Sequence, residues 1–319
     1  MEIAQTLFII FGLVVFEVIS SIDNAVVNAD VLATMGAKAR RWFLLYGIFF
    51  AVFVVRGLMP LLIVFFSSPE LGLWGALTAT FSSDPDVIKI IEETKPILLA
   101  GGGVYLIYLF FHWLFIEKKE YAFFLESFIH KKLSFWFYAF IAVFLTTMTW
   151  MTVGESPLVA LGAVIGSTAF FITNGFKQNA EEKEKELVSG STHLSDTSKI
   201  IYLEVIDTTF SIDGVLGAFA FTLSIPLILI GNGIGAIVVR YVTIKGVNIV
   251  RKYRYLKNGA MYSICMLGFI MTAEALGIHV VSWFPPITTV LLVTLFFWLS
   301  KREMAVESHP HKDHLHHTT

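Results

Sequence analysis

Apolar residues run along this chain in stretches of roughly 20, the length of helix that spans the hydrocarbon core of a bilayer, and short clusters of charge separate them. Read this way, the pattern predicts nine helices, over 5–32, 42–66, 96–116, 134–153, 157–176, 200–223, 226–244, 259–278 and 280–300. Pro285 and Pro286 interrupt the last one near its start, so it is expected to begin there and to be short or tilted. The fold class expected is all-α, a polytopic transmembrane helix bundle.

The basic residues test that count independently, because lysine and arginine favour cytoplasmic loops. Lys38, Arg40 and Arg41 fall between helices one and two, and Lys118, Lys119, Lys131 and Lys132 between three and four. Lys177, Lys183, Lys185 and Lys199 fall between five and six, and Lys245, Arg251, Lys252, Arg254 and Lys257 between seven and eight. The connections on the other side carry no base except Lys89 and Lys95, in an acidic segment with Glu70, Asp84, Asp86, Glu92 and Glu93. Alternation of nine spans then places the N-terminus outside and the C-terminus in the cytoplasm. The first 30 residues are apolar but lack a basic n-region and contain Glu17 and Asp23, so they read as a retained helix and not as a cleaved signal.

An internal repeat emerges from the same stretches. Helix one contains Glu17-Val18-Ile19-Ser20-Ser21-Ile22-Asp23-Asn24, and helix six contains Asp207-Thr208-Thr209-Phe210-Ser211-Ile212-Asp213-Gly214. Each reads acid, five residues, aspartate. Val54-Val55-Arg56 in helix two is matched by Val238-Val239-Arg240 in helix seven. Helices one to three therefore correspond to six to eight, and the odd offset of five spans inverts one unit relative to the other, a recurring plan of transporters. The expected organisation is one transmembrane domain over 1–300. It comprises repeat A (5–116), central helices (134–176), repeat B (200–278), a last helix, and a His-rich cytoplasmic tail over 301–319.

Composition agrees: 56% of the 319 residues are hydrophobic and 15% charged, against about 25% charged in soluble domains. The bilayer is the expected partner, and the charge balance gives no sign of nucleic acid. The lone cysteine, Cys265, excludes a disulfide framework and a thiolate metal cluster. The informative charges are Glu17, Asp23, Asp207 and Asp213, all deep in apolar stretches, with Glu204 one turn before Asp207. A charged side chain at the bilayer centre costs about 2.5–3.5 kcal/mol on insertion scales, so it faces a protein interior or a water-filled path. Arg56 and Arg240 can neutralise two of the four, which leaves two negative charges for protons or a cation. On a purely structural reading, acids and arginines only lock helices together.

Glu17 and Asp23 lie some 120° apart on an ideal helix, so both would address one ion only if the helix unwinds between them. Ser-Ile-Asp-Asn and Ser-Ile-Asp-Gly are suitable break points, where the serine hydroxyls, Ser211 among them, Asn24 and freed carbonyls would supply further oxygen ligands. Alternatively the first acid of each motif pairs with an arginine, and Asp23 with Asp213 holds the ion. Oxygen ligands suit hard cations such as Mn²⁺, Mg²⁺ or Ca²⁺, whereas zinc and copper favour histidine and thiolate. No prosthetic group is expected.

The two motifs, Glu17 to Val26 and Asp207 to Val215 with Glu204 ahead, resemble the paired signatures of the TerC family, and the resemblance extends over roughly residues 5–300. The branch it is most similar to is one of larger bacterial proteins catalogued as a domain of unknown function. The resemblance implies a multi-pass inner-membrane protein, linked to tellurium resistance by name and to manganese export. It also implies that Glu17, Asp23, Asn24, Asp207 and Asp213 are the ion-site positions. This chain departs from the family pattern with Ser20 where many relatives have leucine, Gly214 where many have serine, and the extra helices four and five.

Weaker signals have simpler explanations. Glu155 before Pro157 reads as a helix cap and Glu274 lies near a helix end, while His309, His311 and His314 belong to a polar tail that could bind a metal incidentally. Gly101-Gly102-Gly103, Gly162 with Gly166, and Gly231 with Gly235 read as close helix packing. Trp42, Trp113 and Trp136 suggest an interfacial belt, and the charged run 181–186 a solvated loop. The function expected is export of a hard divalent cation, Mn²⁺ first, in exchange for protons. The alternatives are a non-transporting scaffold in a metal or tellurite stress-resistance complex, or an intramembrane aspartyl hydrolase. The hydrolase lacks the Gly-x-Gly-Asp motif it would need, and no enzyme activity is expected.

Overall fold

The computed structural model describes residues 3–47, 50, 56–78, 85–119, 121–188, 195–246 and 252–307, and those residues contain no strand. The helices are α1 (Ile3–Ser20), α2 (Ile22–Ala33), α3 (Ala37–Trp42), α4 (Arg56–Ser67), α5 (Gly72–Thr78), α6 (Pro85–Phe115) and α7 (Phe124–Leu133). They continue as α8 (Phe137–Val153), α9 (Pro157–Val188), α10 (Asp196–Ala218), α11 (Ile225–Tyr241), α12 (Leu256–Ala275) and α13 (Phe284–Glu307). Single π-type turns extend α3 through Gly47 and α11 through Gly246.

Among the described residues six stretches are long and apolar enough to cross a membrane, on α1, α6, α7–α8, α9, α11 and α13, and a seventh arises if α4 and the bent segment after it count as one. That pair turns through 105° near Ser68. Helices α10 and α12 lie among these spans and carry Glu204, Asp207 and Asp213, and Glu274; each buries one face, with Asp207 and Asp213 on that of α10, and exposes apolar residues such as Ile201, Val205 and Phe269 on the other. Trp150 and Ile172 on the outer faces of α8 and α9 are exposed, the inside-out surface that a hydrocarbon solvent permits. The last helix begins at Phe284, with both prolines in its first turn where the missing N–H groups cost nothing.

Close contacts set the helix directions. Gly162 abuts the Ile97 carbonyl and Gly166 the Gly101 carbonyl, while Tyr105 meets Thr173, so α6 and α9 run parallel. Gly231 abuts Leu13 and Gly235 abuts Glu17, so α1 and α11 are parallel too. By contrast, Gly102 meets Met271 and Gly268 meets Ile107, which makes α6 and α12 antiparallel. Gly259 against Phe296, with the Tyr255 N–H donating to Ser300 Oγ at 2.9 Å, does the same for α12 and α13. Each first helix of a repeat packs on the second helix of the other, α1 on α11 and α10 on α4. These directions match alternating crossings and the inverted relation. The small-residue stripes are the contact surfaces themselves, since any Cβ there would strike a backbone or a packed side chain.

Several expectations need correction. Helix five does not end at 176: α9 continues to Val188, so the charged run 181–186 is helix and Lys177 belongs to a buried helix face. Residues 85–95, read as loop, are the start of α6. Trp113 is buried and carries the Lys119 ammonium 4.8 Å from its ring centroid, whereas Trp42 and Trp136 are exposed. Val54 and Val55 and the tail with His309, His311 and His314 lie outside the described residues, as does the Arg56 side chain.

Candidate ion site between the repeats

The two acid motifs meet where α1–α2 crosses α10 in antiparallel register. The crossing is symmetric in the repeat: the first acid of each motif approaches the residue after the aspartate of the other. The Asn24 amide donates to Asp207 Oδ1, and Glu17 Oε2 lies 2.8 Å from where a Gly214 Cβ would stand. Asparagine at one position thus supplies a donor, and glycine at its counterpart supplies room. Gly235 completes the seat of Glu17, since a Cβ there would come within 2.6 Å of the Glu17 stem. Glu17 also accepts a bond of 2.7 Å from Ser21 Oγ and is almost wholly buried.

The anticipated unwinding is largely absent. Ser21 alone interrupts helix between α1 and α2, at φ −95° and ψ 6°, and the bonds Ser21 N–H to Glu17 O and Ala25 N–H to Ser21 O persist across it. In the second motif α10 is continuous, with Ser211 Oγ donating back to the Asp207 carbonyl at 2.5 Å, so no carbonyl is freed for a ligand there. The serines close their own helix turns. The Asp23 side chain lies outside the described residues.

Around Asp207 the structure gathers oxygen atoms that the motif reading did not include. Asn28 is one turn beyond Asn24 on the same face of α2, and Glu204 is one turn before Asp207 on α10, so antiparallel packing brings the two pairs level. Among the described residues, Asn24 Oδ1, Asn28 Oδ1 and both Glu204 oxygens are buried without a hydrogen-bond partner. Buried polar atoms are rarely left so, and each orphan costs about 1–3 kcal/mol. The Glu204 carboxylate also lies against Gly47, and Arg240 is near enough to interact with it electrostatically while its guanidinium stacks 4.2 Å over Phe43. Asn28 was legible as an Asn-x-x-x-Asn pair with Asn24, two residues past the end of the first motif. Among the described residues no three His, Cys, Asp or Glu side chains converge as a metal cage, so the oxygens here are a mixture of carboxylate and amide.

Asp213 has a different environment. The Lys177 ammonium pairs directly with Asp213 Oδ2, Tyr105 OH donates to Oδ1 at 2.7 Å, and Thr173 Oγ1 lies 3.0 Å from the same hydroxyl. Among the described residues its counter-charge is Lys177, from a central helix. Glu274 pairs with Lys95 at 3.0 Å and Glu155 is exposed in the turn before α9, so neither joins the motif acids.

A cavity of about 760 Å³ lies between α4, α6, α9 and α10. Ser68, Glu70, Glu93 and Thr94 stand at one end, and Tyr105 and Thr173 at the other. No curated protein and no solved structure matches this chain. A family model does, over residues 22–306, a range that includes Asp23, Asn24, Asp207 and Asp213 but begins after Glu17. The chain belongs to the family described as Protein of unknown function (DUF475).

Proposed function

We propose that this chain is a membrane transporter that exports a hard divalent cation, Mn²⁺ first, across the bacterial inner membrane in exchange for protons. The observation that carries the reading is the set of orphaned oxygens around Asp207. Among the described residues, Asn24 Oδ1, Asn28 Oδ1 and the Glu204 carboxylate are hydrogen-bond acceptors without donors in a buried place, and a cation that accepts oxygen ligands would supply what they lack. In this reading Asp207 and Glu204 supply charge, Asn24 and Asn28 supply amide oxygens, and Glu17, Asp23 and Ser211 border the site. A mixed carboxylate and amide set suits a hard cation better than zinc or copper. Rocking of the inverted repeats about their crossing would expose the site to each side in turn. The resemblance to the TerC family motifs points the same way, and the bases gathered at alternate helix ends favour an N-terminus outside.

A scaffold without transport has one observation in its favour: Lys177 already neutralises Asp213, and a neutralised pair needs no ion. One experiment separates the two. Cells expressing the wild type, Asp207→Asn or Asn28→Ala are loaded with Mn²⁺ and their metal content is measured by elemental analysis. The transporter reading expects the wild type to lower cell manganese and Asp207→Asn to abolish the effect at equal membrane abundance. Equal manganese in all strains, with calcium, magnesium and other metals also unchanged, sinks it.

A further inference from the structure

We infer that the 760 Å³ cavity is a water-filled vestibule leading toward the proposed ion site, and that the Lys177–Asp213 pair, with Tyr105 and Thr173, is the gate that closes its floor. The inference rests on the transporter reading for its purpose but on separate residues for its geometry.

The lining traces a path. On α6 it follows Ile90, Glu93, Thr94, Ile97, Gly101 and Tyr105, and on α9 it descends in parallel to Thr173. Fifteen residues from Ile90 to Tyr105 are about 22 Å of helix, most of a bilayer core. The wall between is apolar, so a cation would not be held along the way, and polar groups stand only at the two ends. At the floor the Tyr105 and Thr173 hydroxyls are in contact with each other, and immediately behind them Asp213 accepts a hydrogen bond from the tyrosine hydroxyl and pairs with the Lys177 ammonium. The site lies beyond. Ile212 and Leu216 of α10 line the cavity, but Ser211 and Asp207 do not; Ser211 faces the Asp207 carbonyl instead.

All four residues of the lock are buried, yet Tyr105 and Thr173 also line a cavity with room for many waters at about 30 Å³ each, which a lock serving stability alone would not need. A lysine ammonium on the acid also holds the place of a cation: while it is there, Asp213 cannot draw an ion down from the vestibule. Opening requires the pair to separate, and the separation joins the cavity to the Asn24–Asp207 cluster.

The test is thiol accessibility. With Cys265→Ser removing the only native thiol, Ala169→Cys places a reporter in the cavity wall and Ser211→Cys one beyond the floor. A positively charged, membrane-impermeant methanethiosulfonate is added to right-side-out and to inverted vesicles. Ala169→Cys is expected to react only from the face that bears Glu70 and Glu93. Ser211→Cys is expected to stay unreactive from that face in the parent and with Lys177→Arg, and to react about tenfold faster or more with Lys177→Met or Asp213→Asn. An unreactive Ala169→Cys means lipid or side chains fill the cavity, and overturns the proposal. So does a Ser211→Cys whose reactivity ignores both gate variants. Two variants that break the pair from opposite sides guard against one that fails to fold, which a monodisperse elution profile in detergent checks. Labelling as expected without manganese movement would fail the transport reading and leave the gate; manganese movement with an inert cavity would do the reverse.

Discussion

The two aspartates of the second motif, Asp207 and Asp213, differ in how their charge is met. Asp213 is saturated: an ammonium on one oxygen, a phenol on the other, and a threonine behind. Asp207 is held by a single amide, beside a glutamate whose oxygens have no donor and two asparagines with idle carbonyls. Sequence makes the two look equivalent. The surroundings show that one has its countercharge in direct contact, whereas the other has only Arg240 nearby and, among the described residues, no donor on the Glu204 oxygens. In a low-dielectric interior such a deficit is costly to leave unmet, so the deficient cluster is where a ligand gains most by binding.

Breaking the comparison at its poorer end should have the largest effect. Asp207→Asn is expected to lower manganese export about a hundredfold or more, because each lost charge–ligand contact is worth several kcal/mol of binding; elemental analysis of loaded cells reads it. At the saturated end, Lys177→Met should destabilise the protein by about 3–5 kcal/mol by stranding a buried carboxylate, and adding Asp213→Asn should recover most of that. A double-mutant cycle of melting temperatures in detergent measures the coupling. Additive losses would mean the pair is not formed.

Gly214→Ala probes the symmetric contact on which the comparison depends. Its Cβ would crowd Glu17 Oε2, and a loss of about 1–3 kcal/mol is expected, seen as a lower melting temperature. The smaller change Asn28→Ala removes one amide without removing charge; about a tenfold weaker apparent affinity for manganese is expected with stability kept, read from the manganese dependence of efflux. Smallest of all, Glu155→Gln lies away from both clusters and should shift stability by no more than about 0.5 kcal/mol and leave efflux unchanged. An export defect there would move the site toward the outer turn.

Much of the architecture was legible because a bilayer imposes few solutions. Apolar stretches must be helices, their alternation fixes direction, and glycine stripes mark where helices touch. The boundary of α9 was misread for a definable reason. Hydropathy ends at Lys177, but the Ala-Glu-Glu-Lys-Glu-Lys-Glu run beyond it is made of strong helix formers, so the helix outlasts its apolar face by three turns. That misreading concealed the partner of Asp213. The expected break at Ser-Ile-Asp-Gly failed because the Ser211 hydroxyl can bond back along its own helix as readily as it can ligate an ion.

By itself, then, the sequence determined a helical membrane bundle, an inverted repeat and the identity of its buried acids. These are properties of period, length and residue type, and all are local. Which base meets which acid, which oxygens stay without donors, and where a cavity reaches the gate were decided only in three dimensions. They depend on side chains from α2, α6, α9 and α10, more than a hundred residues apart in several pairs, converging across helix contacts. No periodicity along one helix encodes that meeting.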